Sequence, residues 1–348
     1  MAYRIVTTAS LGPHEGAIAR LAEAGCEIHR LPAGATTWTP ELISRHAAGA
    51  DAYVGTFRGI GLPREVIAAS PRARVITSPI IGTEHIDVQA ATDAGILVAH
   101  GAMPENFDGM AEAGVMLIAA TRKALALKTA ATRAGAWKAA PGGRLVMGST
   151  VGLLGLGRIG QGVARRLAGW GCEMVACDPY IDPAVSAKLG VALINIDTLF
   201  RTSDVVVILT TLTPETRHIV NADRIAAMKS GAALINIGRG GCMDEAAVIA
   251  ALDAGHLGAV AIDAWESEPP PADHALRNHP AVIATSHDVG HSEDLYARIP
   301  IVAAENTLAA LSGEAPAHLH NPAAWPAWKA RWKTPETQAP EVPTHSPP

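Results

Sequence analysis

Three polar segments in the second half of the chain carry the residue types that chemistry needs. They are Ile235-Asn236-Ile237-Gly238-Arg239-Gly240, Asp263-Ala264-Trp265-Glu266-Ser267-Glu268-Pro269 and Thr285-Ser286-His287-Asp288. Arginine grips a carboxylate with two parallel hydrogen bonds. Histidine exchanges a proton near neutral pH. A carboxylate next to an imidazole orients the ring and favours its charged form. Arg239, Glu268 and His287 are therefore the candidate catalytic set. Fourteen histidines are present, so histidine alone means little; His287 stands out through its place after a strand and its spacing from Arg239 and Glu268. His274, His279, His318 and His320 have no spaced Cys, Asp or Glu partners that would make a metal set, and no metal is expected.

Upstream, Thr150–Leu154 reads as a strand, and Gly155-Leu156-Gly157-Arg158-Ile159-Gly160 follows it directly, opening a helix over Gln161–Ala168. This is G-x-G-x-x-G in the setting that gives it meaning. Gly155 permits the tight turn, Gly157 lets backbone approach a pyrophosphate, and Gly160 lets the helix lie close on the strand. Gly155, Gly157, Arg158, Ile159 and Gly160 thus form a candidate phosphate cradle at a helix N-terminus, where backbone N–H groups lack partners. The next strand, Glu173–Cys177, ends at Asp178, which is placed to bind the adenosine ribose hydroxyls and to repel a 2′-phosphate. The expected cofactor is NAD rather than NADP. A glycine-rich structural turn would account for the glycines, but not for the strand, helix, spacing and terminal aspartate together. An Arg, a Glu and a His next to a nicotinamide make a hydride-transfer site.

These residues need a scaffold, and the hydropathy pattern supplies one. Short β-branched runs alternate with Ala-rich helical stretches: strands over Arg4–Thr8, Cys26–Leu31, Ala52–Gly55, Val75–Thr77 and Leu97–Ala99, and helices over 14–24, 40–48 and 64–69. A helical pattern runs from Pro104 to Leu127, the alternation resumes from Ser149 to about Ile283, and an amphipathic helix spans Ser292–Leu311. Alternation of this kind implies an α/β fold of two doubly wound parallel sheets. The expected division is a substrate-binding domain of residues 1–100 plus 288–320, an NAD-binding Rossmann domain of residues 101–287, and a Pro-rich tail, 321–348, whose first part docks through Trp325, Trp328 and Trp332. The three polar segments follow the strands Ala233–Ile237, Ala259–Ile262 and Val282–Ala284, at the carboxyl edge where such sheets bind ligands. With 348 residues, two domains are expected at roughly 150 residues each. A net charge of −5 gives no footprint for nucleic acid or an anionic membrane. The start MAYRIVTTAS reads as a strand rather than a signal peptide, no apolar run is long enough to span a bilayer, and no disulfide framework is expected from four scattered cysteines. The location expected is cytoplasmic.

The sequence resembles the D-2-hydroxyacid dehydrogenase family, the D-isomer-specific NAD-dependent enzymes. Asn236 and Arg239 match the family's N-x-x-R-G segment, and Asp263, Glu268 and Pro269 its D-x-x-x-x-E-P segment. Thr285-Ser286-His287 matches T-P-H, with Ser in place of Pro. Gly82–Asp87 matches G-x-x-x-I-D, and Asn106, Ala111 and Glu112 match N-x-x-x-x-A-E. The resemblance implies a flavodoxin-like substrate domain plus a Rossmann domain. It implies substrate held by Ile81 and Gly82, in the loop Pro79–Thr83, and by Asn106 and Arg239. His287 is the implied acid/base, paired to Glu268, and Ile237, Asp263 and Gly290 are implied at the cofactor. The implied assembly is a homodimer joined through Pro104–Leu127. Three departures stand out. Leu209-Thr210-Thr211-Leu212-Thr213 replaces H-x-P-L-T, Val54-Gly55-Thr56 replaces the V-R-S of phosphoglycerate dehydrogenases, and Asp288 puts an unusual acid next to His287. The readings that stay open are a 2-hydroxyacid dehydrogenase or 2-ketoacid reductase, an NAD(H)-sensing corepressor-type protein, and a dehydrogenase of a non-carboxylate oxyanion such as phosphite.

Overall fold

The computed structural model describes residues 2–9, 12 and 15–332. The chain divides into two compact units: the residues up to Met103 together with those from Glu293 onward, and Pro104–Ser292.

The first unit holds five parallel strands: β1 (Arg4–Thr7), β2 (Glu27–Arg30), β3 (Ala52–Val54), β4 (Val75–Thr77) and β5 (Leu97–Ala99), in the order β2-β1-β3-β4-β5. That is a doubly wound order of the flavodoxin kind. Both faces of the sheet are covered, so successive residues alternate between two cores rather than between core and water. Val6, Tyr53, Ile76 and Val98 enter one core, and Ile5, Val54, Val75 and Leu97 the other. The helix Glu15–Glu23 packs on the helix Glu293–Ser312, with Gly16 against Pro300. The helix Val88–Asp93 has no counterpart in the sequence reading; it is capped by the Asp87 carboxylate, which accepts from Ala90 N at 2.7 Å.

The first residues of the segment expected as a tail are helical. A 3₁₀ turn over Pro322–Ala324 leads into the helix Trp325–Trp332. Trp328 is buried, stacks on Trp325 and donates its indole N–H to the carbonyl of Arg74 at 2.8 Å. Prolines at 322 and 326 start these turns rather than prevent them, because the first turn of a helix has no use for their missing N–H. The rest of the expected tail, 333–348, lies outside the described residues.

The second unit holds seven parallel strands: β6 (Thr150–Leu154), β7 (Glu173–Cys177), β8 (Val191–Leu193), β9 (Val205–Ile208), β10 (Ala232–Asn236), β11 (Leu257–Ile262) and β12 (Val282–Ala284). Their order is β12-β11-β10-β9-β6-β7-β8. The chain runs outward from β6 to β8, then returns to β9 and runs outward the other way, so the topological switch falls between β6 and β9. Continuous apolar strands such as Val205-Val206-Val207-Ile208, all buried, fit a sheet covered on both faces. Val206, Leu234 and Val260 feed one core and Val207, Ile235 and Ala261 the other.

The helical pattern expected from Pro104 to Leu127 is two helices, Pro104–Arg122 and Leu125–Arg133. The cause is tertiary. The carbonyl of Arg122, which a continuing helix would use, instead accepts from Arg144 N at 2.6 Å, while the Arg122 guanidinium donates to the carbonyl of Leu145. Ala124 absorbs the break in the left-handed region, φ 51°.

Candidate active site

The phosphate cradle is built as the glycine spacing requires. Gly155 follows β6 at φ +107°, a conformation that side chains oppose. A Cβ on Gly160 would lie 2.6 Å from the carbonyl oxygen of Gly155, so helix and turn can touch only without one. A Cβ on Gly157, by contrast, would meet open space. Gly157 is the cap of the helix Arg158–Leu167 and supplies no side-chain acceptor to it. With no side chain capping it, this N-terminus, where Arg158 and Ile159 lie, is the positive end of a ten-residue helix and suits an anion. The Arg158 guanidinium stacks over the ring of Phe107 at 4.9 Å. Asp178, at the end of β7, accepts from Leu156 N at 2.8 Å and from Tyr180 N at 2.9 Å. Its carboxylate thus braces the glycine-rich turn and keeps further lone pairs for hydroxyl donors. These residues fit a dinucleotide.

Arg239 sits on the turn after β10. The buried Asn236 organises that turn: its amide donates to the carbonyls of Arg239 and Ala264 at 3.3 and 3.2 Å and accepts from Gly238 N at 3.2 Å. One side chain thereby ties the Arg239 turn to the segment after β11. Gly240 closes the junction, since a Cβ there would collide with the carbonyl of Trp265. The Arg239 guanidinium donates to the carbonyl of Gly238 at 3.0 Å. Cys242, one turn on, is a packing residue whose thiol is pushed up by burial.

His287 Nδ1 and Glu268 Oε1 are 2.6 Å apart, each side chain 31% exposed. The pairing leaves Nε2 as the ring nitrogen aimed away from the carboxylate. Glu268 Oε1 also accepts from Trp265 N at 3.2 Å. His287 itself adopts the left-handed backbone conformation, φ 60°, uncommon for a residue with a side chain. Asp263, 1% exposed, holds it there: Oδ1 accepts from Thr285 Oγ1 at 2.7 Å, Asp288 N at 3.0 Å and Val289 N at 3.1 Å. Trp265 adds an indole N–H bond to the carbonyl of Thr285 at 2.8 Å. The unusual acid is diverted from the imidazole, because Asp288 accepts from Ser286 Oγ at 2.9 Å and Ser286 N at 3.3 Å.

Asn106 lies in the first turn of the helix Pro104–Arg122, one turn before Gly109, which abuts Gly290 of the His287 loop. Gly290 packs against Met110, and Ile237 is buried against Gly114 of the same helix. Ile81 and Gly82 belong to the other unit, in the loop after β4, where Ser78 Oγ donates to the carbonyl of Gly82 at 2.9 Å. Two further residues join the second unit's site from behind: Glu245, which sequence reasoning passes over, and His274, which it weighs only as a metal ligand. Glu245 accepts from Glu266 N at 2.7 Å and pairs with His274 at 3.1 Å. In sequence Glu245 is an ordinary acid in the first turn of a helix, and its partners lie 21 and 29 residues away.

Residues 115–288 match the NAD-binding domain of the D-isomer specific 2-hydroxyacid dehydrogenases. The D-3-phosphoglycerate dehydrogenase of Mycobacterium tuberculosis is 36% identical over 251 residues, 72% of this chain and 47% of that protein. The chain thus spans about half the length of the curated relatives it matches. Among solved structures, a protein from Thermus thermophilus is 31% identical, with a TM-score of 0.78 over 91% of this chain and 99% of its own. The 2-hydroxyacid dehydrogenase of Ketogulonicigenium vulgare is 27% identical, with a TM-score of 0.79 over 92% of this chain and 98% of its own.

Proposed function

The chain belongs to the D-isomer-specific 2-hydroxyacid dehydrogenase family, and from that premise we propose that it interconverts a small 2-hydroxy acid and the matching 2-keto acid with NAD(H). The observation that carries this reading is the 2.6 Å His287–Glu268 pair on a loop whose uncommon backbone conformation is held by Asp263. A positioned imidazole with one nitrogen tied to a carboxylate and the other turned away is an acid/base group.

When bound, the nicotinamide supplies the hydride that reduces the carbonyl carbon. Arg239 holds the substrate carboxylate and the carbonyl oxygen, drawing electron density from the C=O bond. His287 delivers a proton from Nε2 to that oxygen, so that hydride and proton together yield the hydroxyl. Glu268 keeps the ring in the required orientation and balances its positive charge before transfer. Asn106 orients the substrate. Asp178 would hold the ribose hydroxyls of the bound cofactor, and the first turn of the helix Arg158–Leu167 its phosphates. Asp263, which fixes the His287 loop through Oδ1, would be the residue next to the nicotinamide amide.

A homodimer belongs to the same reading. Met116, Leu125, Trp137, Leu145 and Met147 of the second unit are 51–83% exposed, the kind of apolar surface that marks an interface. A cytoplasmic location fits the four free thiols. Light scattering is expected to give the mass of a dimer.

NADH oxidation against a panel of 2-keto acids, with and without phosphate groups, tests the activity. Turnover of at least one unphosphorylated or phosphorylated 2-keto acid is expected. Saturable NADH binding with no turnover across the panel would overturn the reading in favour of a nucleotide sensor.

A further inference from the structure

Behind the acid/base pair lies a second carboxylate–imidazole pair that no step of the reaction uses. Glu245 is 7% exposed, and its two carboxylate oxygens do separate work. Oε1 accepts from the backbone N–H of Glu266 at 2.7 Å. Oε2 pairs with His274 Nε2 at 3.1 Å. The His274 ring in turn packs edge-to-face on Trp265, centroids 5.6 Å apart. Both contacts land on the two residues just before Ser267-Glu268, and Trp265 N is itself a donor to Glu268 Oε1.

A buried carboxylate is costly unless its oxygens are occupied. A helix start needs only an exposed acid, and Asp244 already caps this helix through Ala247 N at 3.1 Å. Burying Glu245 therefore has a local result: it clamps the Trp265–Glu266 backbone from behind. We propose that Glu245, supported by His274, is a positioning residue that holds Glu268 within hydrogen-bond reach of His287. The inference rests on the hydride-transfer reading above. An acid/base pair works only while its geometry is kept to fractions of an ångström, so loosening the clamp lowers turnover rather than binding.

The test is a double-mutant cycle on the full chain, with NADH affinity measured by fluorescence titration to count binding-competent protein. In the wild-type background, Glu245→Ala is expected to lower kcat by about tenfold, with KM and NADH affinity within about twofold. Glu245→Gln keeps an oxygen for Glu266 N–H and is expected to retain most of kcat. In a Glu268→Gln background, Glu245→Ala is expected to change kcat by less than about twofold, because the group it positions is already disabled. If Glu245→Ala does not fold, His274→Phe carries the cycle: it keeps a ring on Trp265, loses the Glu245 contact, and is expected to show the same non-additivity. An equal loss in both backgrounds, or none in the wild type, would overturn the proposal. A Glu268→Gln enzyme as active as wild type would instead strike the acid/base reading itself.

Discussion

A lysine at position 239 would keep the positive charge of Arg239 and lose the two parallel N–H bonds with which a guanidinium holds a carboxylate. Arg239→Lys is expected to lower kcat/KM by about a hundredfold, about 3 kcal/mol of transition-state stabilisation. NADH affinity, set elsewhere, is expected to stay near wild type. If Arg239 only supported the turn that Asn236 organises, the loss would appear in melting temperature and not in turnover per binding-competent molecule. Asp178 offers a second residue-level check. Its carboxylate braces Leu156 N and would repel a 2′-phosphate, so Asp178→Ala is expected to weaken NAD binding and narrow the preference over NADP. Unchanged NAD/NADP selectivity in steady-state kinetics would remove Asp178 from cofactor choice. The positions of Arg239, Glu268 and His287 after β10, β11 and β12 were legible in sequence, because a parallel α/β pattern fixes the edge at which each must emerge. The role of Asp288 was not legible. Sequence shows only an acid next to His287; the left-handed residue at 287 turns the chain, and Ser286 takes up the carboxylate.

At the scale of elements, the site depends on loops meeting without side chains between them. Gly240→Ala would push a methyl into the carbonyl of Trp265, separating the Arg239 turn from the segment that carries Glu268. Overpacking of this sort costs about 1–3 kcal/mol, which denaturant unfolding would report. A larger proportional loss of kcat is expected in the same protein, since two reacting groups move apart. Turnover unaffected by the substitution would mean that the two segments are not coupled in catalysis. The strands were readable because buried parallel strands are unbroken apolar runs, as in Val205–Ile208. The break after Arg122 was not, because it is imposed by the segment 143–145, which captures the helix's last carbonyl from outside the local sequence. Glu245 was missed for the same reason: a hydrogen bond to Glu266 N has no signature in helix periodicity.

At the scale of the whole molecule, stability and activity respond to pH through different groups. Burial pushes the His85 imidazole down, with Arg58 adding and Glu84 opposing. His46 is lowered as well, by burial first and then by Arg45, Arg4 and His29. Their native pKa values lie below the ordinary 6.5, so the unfolded chain binds more protons than the native one below that pH. The unfolding free energy therefore rises with pH across the window from the lowered pKa to 6.5, and falls on acidification through it. Denaturant midpoints are expected to decline below about pH 6.5 and to decline less in His85→Gln. An unchanged slope would show that His85 does not carry that dependence. The claim on which everything else rests is that this chain transfers hydride to a 2-keto acid with His287 as the proton donor. The most direct measurement follows NADH oxidation by wild type and His287→Ala with the same 2-keto acid, while NADH affinity is titrated in both preparations. Robust turnover by wild type, near-complete loss in His287→Ala and equal NADH affinity are the expected results; a His287→Ala protein that reduces the keto acid at the wild-type rate would contradict the claim.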